Sequence, residues 1–214
     1  MFVPENSGCP DGGPDTVLTA RPGPASGGAP ALTGAMLVQY CAPTLAGLKT
    51  ASLFSCFFSD EQEMRTAVRR WNRTLRDKGL RMLPLRRPEG PTLIYVYRVS
   101  RLARDLGQAE AMQMLRDRGY PCGTPESCLA DLSRRLGAQG DFPHEIGLFL
   151  GYPPEDVRGF IDNKACGCKC VGCWKVYGDA EKARRLFEAY RRCTQRYCDR
   201  YGAGCSIEGL IVPD

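Results

Sequence analysis

The residues with the clearest potential for chemistry are a thiol and the single histidine of the chain. His144 is followed directly by the carboxylate of Glu145. Pro43 suits the first turn of a helix, so we expect a helix N-terminus just after Cys41. Because a helix N-terminus or an imidazolium lowers the pKa of a thiol, the pattern predicts Cys41 as nucleophile, His144 as base and Glu145 beside it. The alternative is that Cys41 is a small buried apolar residue and His144 a hydrogen-bonded structural one.

A second group combines cations with tyrosine hydroxyls, which predicts a site for a carboxylate or phosphate. We expect a strand ending at Arg98 to lie antiparallel to one beginning at Glu145, which would bring Arg98 close to His144. The alternative is a set of ion pairs with Glu145, Asp156 and Asp162 that ties loops together. The predicted ligand-binding residues are Lys49, Tyr97, Arg98, Arg101, Tyr152 and Lys175.

The third candidate is a cysteine cluster in the stretch ACGCKCVGC. Thiolates bind soft metal ions such as Zn²⁺ or Cu(I), and the C-x-x-C half has the spacing of a zinc knuckle. Alternating cysteines can bind one metal ion only if the chain forms a tight loop, which Gly167 and Gly172 permit. No second C-x-x-C lies at knuckle distance, so free loop thiols are the alternative. The predicted metal ligands are Cys166, Cys168, Cys170 and Cys173.

Composition excludes several classes of protein. The 214 residues are 43% hydrophobic and 25% charged, which is typical of a globular protein, and no apolar run approaches the ~20 residues that span a bilayer. The first residues lack a basic and then apolar signal segment, so we expect a cytoplasmic location, where the 12 cysteines are free thiols or metal ligands. The net charge of +5 belongs to arginine-rich helices that also carry acids, so neither a membrane nor a nucleic-acid partner is expected. No nucleotide-binding, serine-hydrolase or zinc-protease motif is present.

The elements that must position these residues predict an α+β fold. Strands and helices follow each other without a regular βαβ rhythm, which favours a mainly antiparallel or mixed sheet of about four to five strands covered by amphipathic helices. Residues 1–33, rich in glycine and proline, predict a disordered or loosely attached tail before a single domain at 34–214. Strands are predicted at 52–58, in RMLPLRR at a sheet edge, in PTLIYVYRVS, from 145 to 150 and in CWKVYG, with SIEGLIV as a strand or packed segment. Helices are predicted after Thr33 and at 61–78, 101–106, 108–118, 125–137, 155–161 and 180–201.

Four long blocks in the same order carry a resemblance to a known family. CAPTLAGLKTASLF, LIYVYR, FPHEIGLFLGYPPEDVRGFI and GCWKVYGDAEKA together resemble domain of unknown function 3793, a family of anaerobic bacteria. The resemblance covers about residues 36–212, and Cys166 and Cys168 fall outside the family pattern. It implies the extent of the domain and a bacterial cytosolic setting, and it implies no activity.

These observations lead to three hypotheses about function. The first is an anionic-ligand-binding protein or a thiol or acid-base enzyme, with its pocket where Cys41, His144, Arg98 and Lys49 converge. The second is a metal-handling or redox protein that takes up a soft metal such as zinc through residues 166–173. The third is a protein-interaction module with an exposed apolar patch and no pocket near His144.

Overall fold

A computed structural model of the chain describes residues 32–85, 90–121, 123–138 and 141–214. The predicted tail therefore lies outside the described residues, except for its last two positions. The helices are α1 (Gly34–Leu45), α2 (Glu61–Arg76), α3 (Val99–Leu106), α4 (Ala109–Asp117), α5 (Pro125–Gly137), α6 (Ile146–Phe149), α7 (Pro154–Asp162), α8 (Ala180–Gly202) and α9 (Ile207–Leu210). The strands are β1 (Ala51–Cys56), β2 (Leu80–Leu85), β3 (Thr92–Arg98), β4 (Cys170–Val171) and β5 (Lys175–Val176).

The main sheet has the order β1-β3-β2, and both of its pairings are antiparallel. This confirms the α+β class and the antiparallel pairing, but three strands are fewer than the four to five expected. The remaining two strands form a separate short antiparallel hairpin, β4-β5. Pro84 lies in the edge strand β2, as predicted, because proline has no N–H to donate to a second neighbour.

Two apolar cores lie on opposite faces of this sheet, because alternate residues of β3 point in opposite directions. Leu93, Tyr95 and Tyr97 belong to the first core, which helices α3 to α7 cover. Ile94 and Val96 belong to the second core, which α1, α2, α9 and part of α8 cover. A third, smaller cluster joins the β4-β5 hairpin to α8. Its buried residues are Trp174, Val176, Ala183 and Tyr190.

Local capping explains why the predicted helices begin where they do. The side chains of Thr33, Asp60 and Asp179 each accept a hydrogen bond from a backbone N–H in the first turn of α1, α2 and α8. Thr124 and Ser127 form a reciprocal capping box at α5. The predicted helices at 61–78, 125–137 and 180–201 are confirmed to within two residues at each end.

The strand predicted from residue 145 to 150 is wrong, because this segment forms the short helix α6. Every residue from Ile146 to Phe149 is buried, and a short apolar run buried on all sides has the same pattern in a strand and in a helix. Arg98 and His144 therefore do not meet through an antiparallel strand pair.

The helix start expected at Pro43 is also wrong. α1 runs without interruption from Gly34 to Leu45, and Pro43 lies inside its last turn. The helix ends two residues later, so the missing N–H of Pro43 disturbs only the final turn. Cys41 is consequently an interior residue of α1 and does not lie at a helix N-terminus.

Two smaller differences concern the end of the chain. The strand expected in CWKVYG shortens to Lys175–Val176, and the final apolar segment contains the helical turn α9, which packs on the second core. Among the residues that the structure describes, no helix is both long enough and apolar enough to cross a membrane. The division into a tail and a single domain stays a prediction.

Candidate functional site

The candidate site is a cavity of about 500 Å³ between α1, β1, the β4-β5 hairpin and α8. This volume falls within the roughly 300–1,000 Å³ of small-molecule sites. Its lining residues are Gln39, Tyr40, Pro43, Lys49, Ser52, Leu53, Leu150, Tyr152, Gly172, Cys173, Phe187, Tyr190, Arg191, Thr194, Gln195 and Cys198. The walls are thus mostly apolar or aromatic, both lining charges are positive, and no aspartate or glutamate is among these residues.

Lys49 is held in the cavity by the turn that joins α1 to β1. The backbone N–H groups of Leu48 and Lys49 both donate to the carbonyl of Pro43, at 2.8 and 3.0 Å. Gly47 permits this reversal with a φ of +74°, a conformation that residues with a Cβ rarely adopt. The Nζ atom of Lys49 lies 5.4 Å from the ring centroid of Tyr152, within the range of a cation–π contact.

The electrostatic environment of Lys49 is unusual for a lysine. Burial lowers the pKa of its ammonium, and the nearby thiols of Cys173 and Cys41 only partly oppose that shift. Among the described residues, no carboxylate lies within ion-pair distance of Lys49, whereas many of the exposed arginines have such a partner. The cavity therefore contains a cation whose countercharge the described protein does not supply.

Aromatic stacking builds the wall opposite α1. Tyr152 stacks on Trp174 with ring centroids 4.6 Å apart, and Phe187 of α8 meets the other side of Trp174 edge-on, also at 4.6 Å. The buried carboxylate of Asp156 fixes this arrangement, because it accepts a hydrogen bond from the Trp174 indole at 2.7 Å. The same carboxylate accepts the backbone N–H groups of residues 177 and 178, at 2.7 Å each.

Cys173 is an exposed residue that lies near several polar groups of the cavity. Its electrostatic influence reaches Lys49, Tyr152 and Tyr190. Burial raises the pKa of the Cys173 thiol despite the opposing effect of Lys49, and burial likewise raises the pKa of both tyrosines. The Tyr152 hydroxyl donates to the carbonyl of Cys173 at 3.3 Å. The neutral thiol of Cys173 and the neutral phenol of Tyr152 thus lie near the amine, and the neutral phenol of Tyr190 lines the same cavity.

The predicted catalytic residues do not come together. Cys41 is fully buried in the second core, where burial raises the pKa of its thiol to about 12. His144 lies on the other side of the sheet, with its ring 5.0 Å from that of Phe160 and 5.9 Å from that of Phe142, which packs on the first core. Glu145 is buried and accepts a hydrogen bond from the Tyr120 hydroxyl at 2.9 Å. Neither Cys41 nor His144 lines the cavity, and their catalytic roles stay predictions.

The predicted ligand-binding residues divide into two groups. Lys49 and Tyr152 line the cavity together, and the charge of Arg101 is close enough to lower the pKa of Tyr190 against the effect of burial. Tyr97 instead stacks on Tyr95 inside the first core, with 5.1 Å between ring centroids.

Two of the predicted cations are occupied elsewhere. Arg98 is 1% exposed and donates to the carbonyls of Thr44, Leu45 and Val212 and to the carboxylate of Asp214. Lys175 donates to the carbonyl of Ala165 at 2.9 Å, outside the cavity. Backbone carbonyls therefore hold both cations away from the cavity, and their role in ligand binding stays a prediction.

The predicted metal ligands are not assembled into a metal site. Within the described part of the chain, no three histidine, cysteine or carboxylate side chains lie close enough to hold one ion. Cys173 and Cys166 are both exposed, but Cys173 lines the cavity, whereas Cys166 and Cys168 both lie near Tyr177. The thiols of the cluster thus divide between two surroundings.

The contribution of α8 to the site was not predicted from the sequence. Phe187, Tyr190 and Arg191 line the cavity from one face of this helix, followed one turn later by Thr194 and Gln195. Their spacing of three and four residues is the signal that marks a common helix face. The sequence of this face of α8 does not indicate whether the face covers a core or borders a cavity.

The fold and the site together define an α+β protein with an aromatic cavity around an uncompensated lysine. A family model described as "Protein of unknown function (DUF3793)" matches residues 37–211, so the chain belongs to this family. The match confirms the resemblance carried by the four sequence blocks. No curated protein and no solved structure matches the chain.

Proposed function

We propose that this protein binds a small anionic molecule with an apolar, aromatic body in the cavity around Lys49. The observation that carries the proposal is the Lys49 ammonium, which faces a cavity of about 500 Å³ with no carboxylate partner among the described residues. Lys49 is partly buried. A partly desolvated charge without a countercharge costs free energy, and an anionic ligand would relieve that cost.

The remaining walls specify the body of the ligand. The rings of Tyr40, Tyr152, Phe187 and Tyr190 line the cavity, so a planar apolar group can stack on them or meet their edges. The amides of Gln39 and Gln195 at the α1 and α8 sides offer neutral hydrogen bonds, which orient a ligand without favouring either charge.

Two fluorescent probes of the same ring system separate charge from shape. 1-Anilinonaphthalene-8-sulfonate carries a sulfonate, and N-phenyl-1-naphthylamine is its uncharged counterpart. We expect the Lys49→Met variant to lose about tenfold or more in affinity for the sulfonate, because a charge-assisted contact contributes ~1.5–3 kcal/mol. The same variant should bind the neutral probe within about threefold of the unsubstituted protein, because the aromatic walls remain.

The control is Lys182→Met, which removes an exposed lysine of α8 outside the cavity. It should bind both probes as the unsubstituted protein does. Circular dichroism and the melting temperature of each variant establish that it is folded. The proposal fails if Lys49→Met binds the sulfonate as tightly as Lys182→Met, or if it loses both probes equally.

A further inference from the structure

We infer that the ligand of this cavity carries an aldehyde or ketone group and that Lys49 bonds to it as an imine. The inference rests on the proposed function and specifies the class of ligand. Its basis is the arrangement in which a primary amine without a carboxylate partner faces an aromatic cavity, next to the thiol of Cys173.

The surroundings of Lys49 suit a nucleophilic amine better than a structural cation. A lysine paired with a carboxylate is held protonated, and its nitrogen has no lone pair for attack. Here the groups that influence Lys49 are the thiols of Cys41 and Cys173 and the ring of Tyr152, and each has its pKa raised by burial. These groups stay neutral near pH 7, so none of them stabilises the ammonium as a carboxylate would, and the partly buried amine is neutral more often than an exposed one.

The bond change is balanced without an oxidant or reductant. The neutral Lys49 nitrogen attacks the carbonyl carbon, and the electrons of the C=O π bond move to the oxygen. The two protons of the amine leave with that oxygen as water, and a C=N bond remains between Lys49 and the ligand. Protonation of the imine nitrogen restores a positive charge at the same place, so an anionic group on the ligand keeps its countercharge.

The fixed position of Lys49 supports such a bond. The turn after α1 anchors its backbone through the Pro43 carbonyl, and the Tyr152 ring, itself stacked on Trp174, limits where the amine can go. An amine with few accessible positions loses little conformational entropy when it reacts.

Reductive trapping with 4-carboxybenzaldehyde tests the inference. Sodium cyanoborohydride converts an imine into a stable secondary amine, and peptide mass spectrometry locates the modified lysine. In the full chain at neutral pH, we expect Lys49 to be modified at least about tenfold faster than the exposed Lys182. An excess of 1-anilinonaphthalene-8-sulfonate should suppress the modification of Lys49 and leave that of Lys182 unchanged.

Two substitutions distinguish this inference from the proposed function. Lys49→Met should lose both the trapped adduct and the sulfonate affinity. Lys49→Arg keeps a positive charge but has no primary amine, so it should give no adduct at this position while binding the sulfonate more tightly than Lys49→Met does. Modification of Lys49 and Lys182 at equal rates, with sulfonate binding still dependent on Lys49, would overturn the imine and leave the anion site standing.

Discussion

Lys49 is placed in an apolar wall by a local turn, and the consequence for its charge can be measured. The turn bonds its backbone N–H to the Pro43 carbonyl, and the side chain lines the cavity, where it is partly buried. Burial then lowers the pKa of the ammonium. An anion that binds beside it raises that pKa again, which couples ligand binding to protonation.

This coupling predicts how the affinity for 1-anilinonaphthalene-8-sulfonate depends on pH. The affinity should be highest where Lys49 is protonated and should fall as the pH rises through its lowered pKa, below the usual value of 10.5. In Lys49→Arg the fall should disappear, because a guanidinium stays charged throughout this range. Fluorescence titration at a series of pH values gives the profile.

The thiol of Cys173 needs a separate control, since its own ionisation would also repel an anion. In Cys173→Ala the fall in affinity should persist, because Lys49 still loses its proton. If the fall in sulfonate affinity disappeared in Cys173→Ala and persisted in Lys49→Arg, the pH dependence would come from the ionisation of the Cys173 thiol and not from Lys49.

Burial raises the pKa of the Cys41 thiol, whereas it lowers the pKa of the Lys49 ammonium. A pKa of about 12 leaves roughly one thiol in ten thousand ionised at pH 8, and the side chain is fully buried. We expect iodoacetamide to modify Cys41 at least about a hundredfold more slowly than the exposed Cys166. Timed labelling followed by peptide mass spectrometry measures both rates in one sample, and equal rates would contradict the burial of Cys41.

At the scale of elements, Arg98 connects three separate parts of the chain. Its guanidinium donates to the last carbonyls of α1 through Thr44 and Leu45, at 2.7 Å each. It also donates to the Val212 carbonyl at 2.7 Å and to the Asp214 carboxylate at 2.9 Å. Helix-end carbonyls have no partner within the helix. The Thr44 carbonyl also accepts from the Gly47 N–H at 3.2 Å and the Leu45 carbonyl from the Val212 N–H at 3.0 Å, so Arg98 adds a charge-assisted hydrogen bond to each.

The Arg98→Met variant should therefore have a free energy of unfolding ~3–5 kcal/mol lower than the unsubstituted protein. This is the loss expected when one partner of a buried charged network is removed. Arg98→Lys should recover less than half of that loss, because one ammonium cannot reproduce the planar fork of donors. Urea unfolding monitored by circular dichroism gives both values.

The matched control is Arg184→Met, which breaks the exposed pair of Arg184 with Glu181. Because exposed pairs contribute ~0–1 kcal/mol, the free energy of unfolding of this variant should be close to that of the unsubstituted protein. Equal losses in Arg98→Met and Arg184→Met would show that the buried network contributes no more than a surface pair does.

The hairpin β4-β5 shows how tightly one element can be fitted to another. A Cβ atom added to Gly172 would lie 2.2 Å from the ring of Phe187, so no larger residue fits there without moving α8 side chains. Asp156 of α7 holds the following residues through Trp174 and the backbone at 177 and 178. The wall of the cavity is therefore set jointly by α7, the hairpin and α8.

At the scale of the whole molecule, one strand joins the two main cores. β3 contributes Tyr95 to the first core and Val96 to the second, and both are fully buried. Disruption of either core thus removes the support for one face of the same strand. Such sharing favours a single cooperative unfolding transition.

Two leucine substitutions test this coupling. Leu75→Ala opens the second core and Leu132→Ala opens the first, and both residues are fully buried. Each should lower the free energy of unfolding by ~2–5 kcal/mol and shift the same single transition. The measurement is urea unfolding followed by both tryptophan fluorescence and circular dichroism. Two transitions, each sensitive to only one substitution, would contradict the prediction of a single domain.

Local patterns in the sequence determined most of the secondary structure. Asp60 and the periodic apolar residues after it specify α2, the alternation around Tyr95 specifies β3, and Pro84 confines β2 to an edge. Each of these features depends on neighbours within a few residues, such as a cap, a repeat or a missing N–H. Residue type alone indicated Lys49 and Tyr152 as ligand-binding candidates, without any information about their neighbours in space.

Tertiary packing decided the rest. The segment at 146–149 is a helix, and because it is buried on every side its sequence has no periodicity that would distinguish a helix from a strand. The cavity brings Lys49, Cys173 and Tyr190 together from parts of the chain that are far apart in sequence, and no local signal encodes such an arrangement. Residue types therefore indicated which groups could react, whereas only the packing of α1, α8 and the hairpin decided which of them share a cavity.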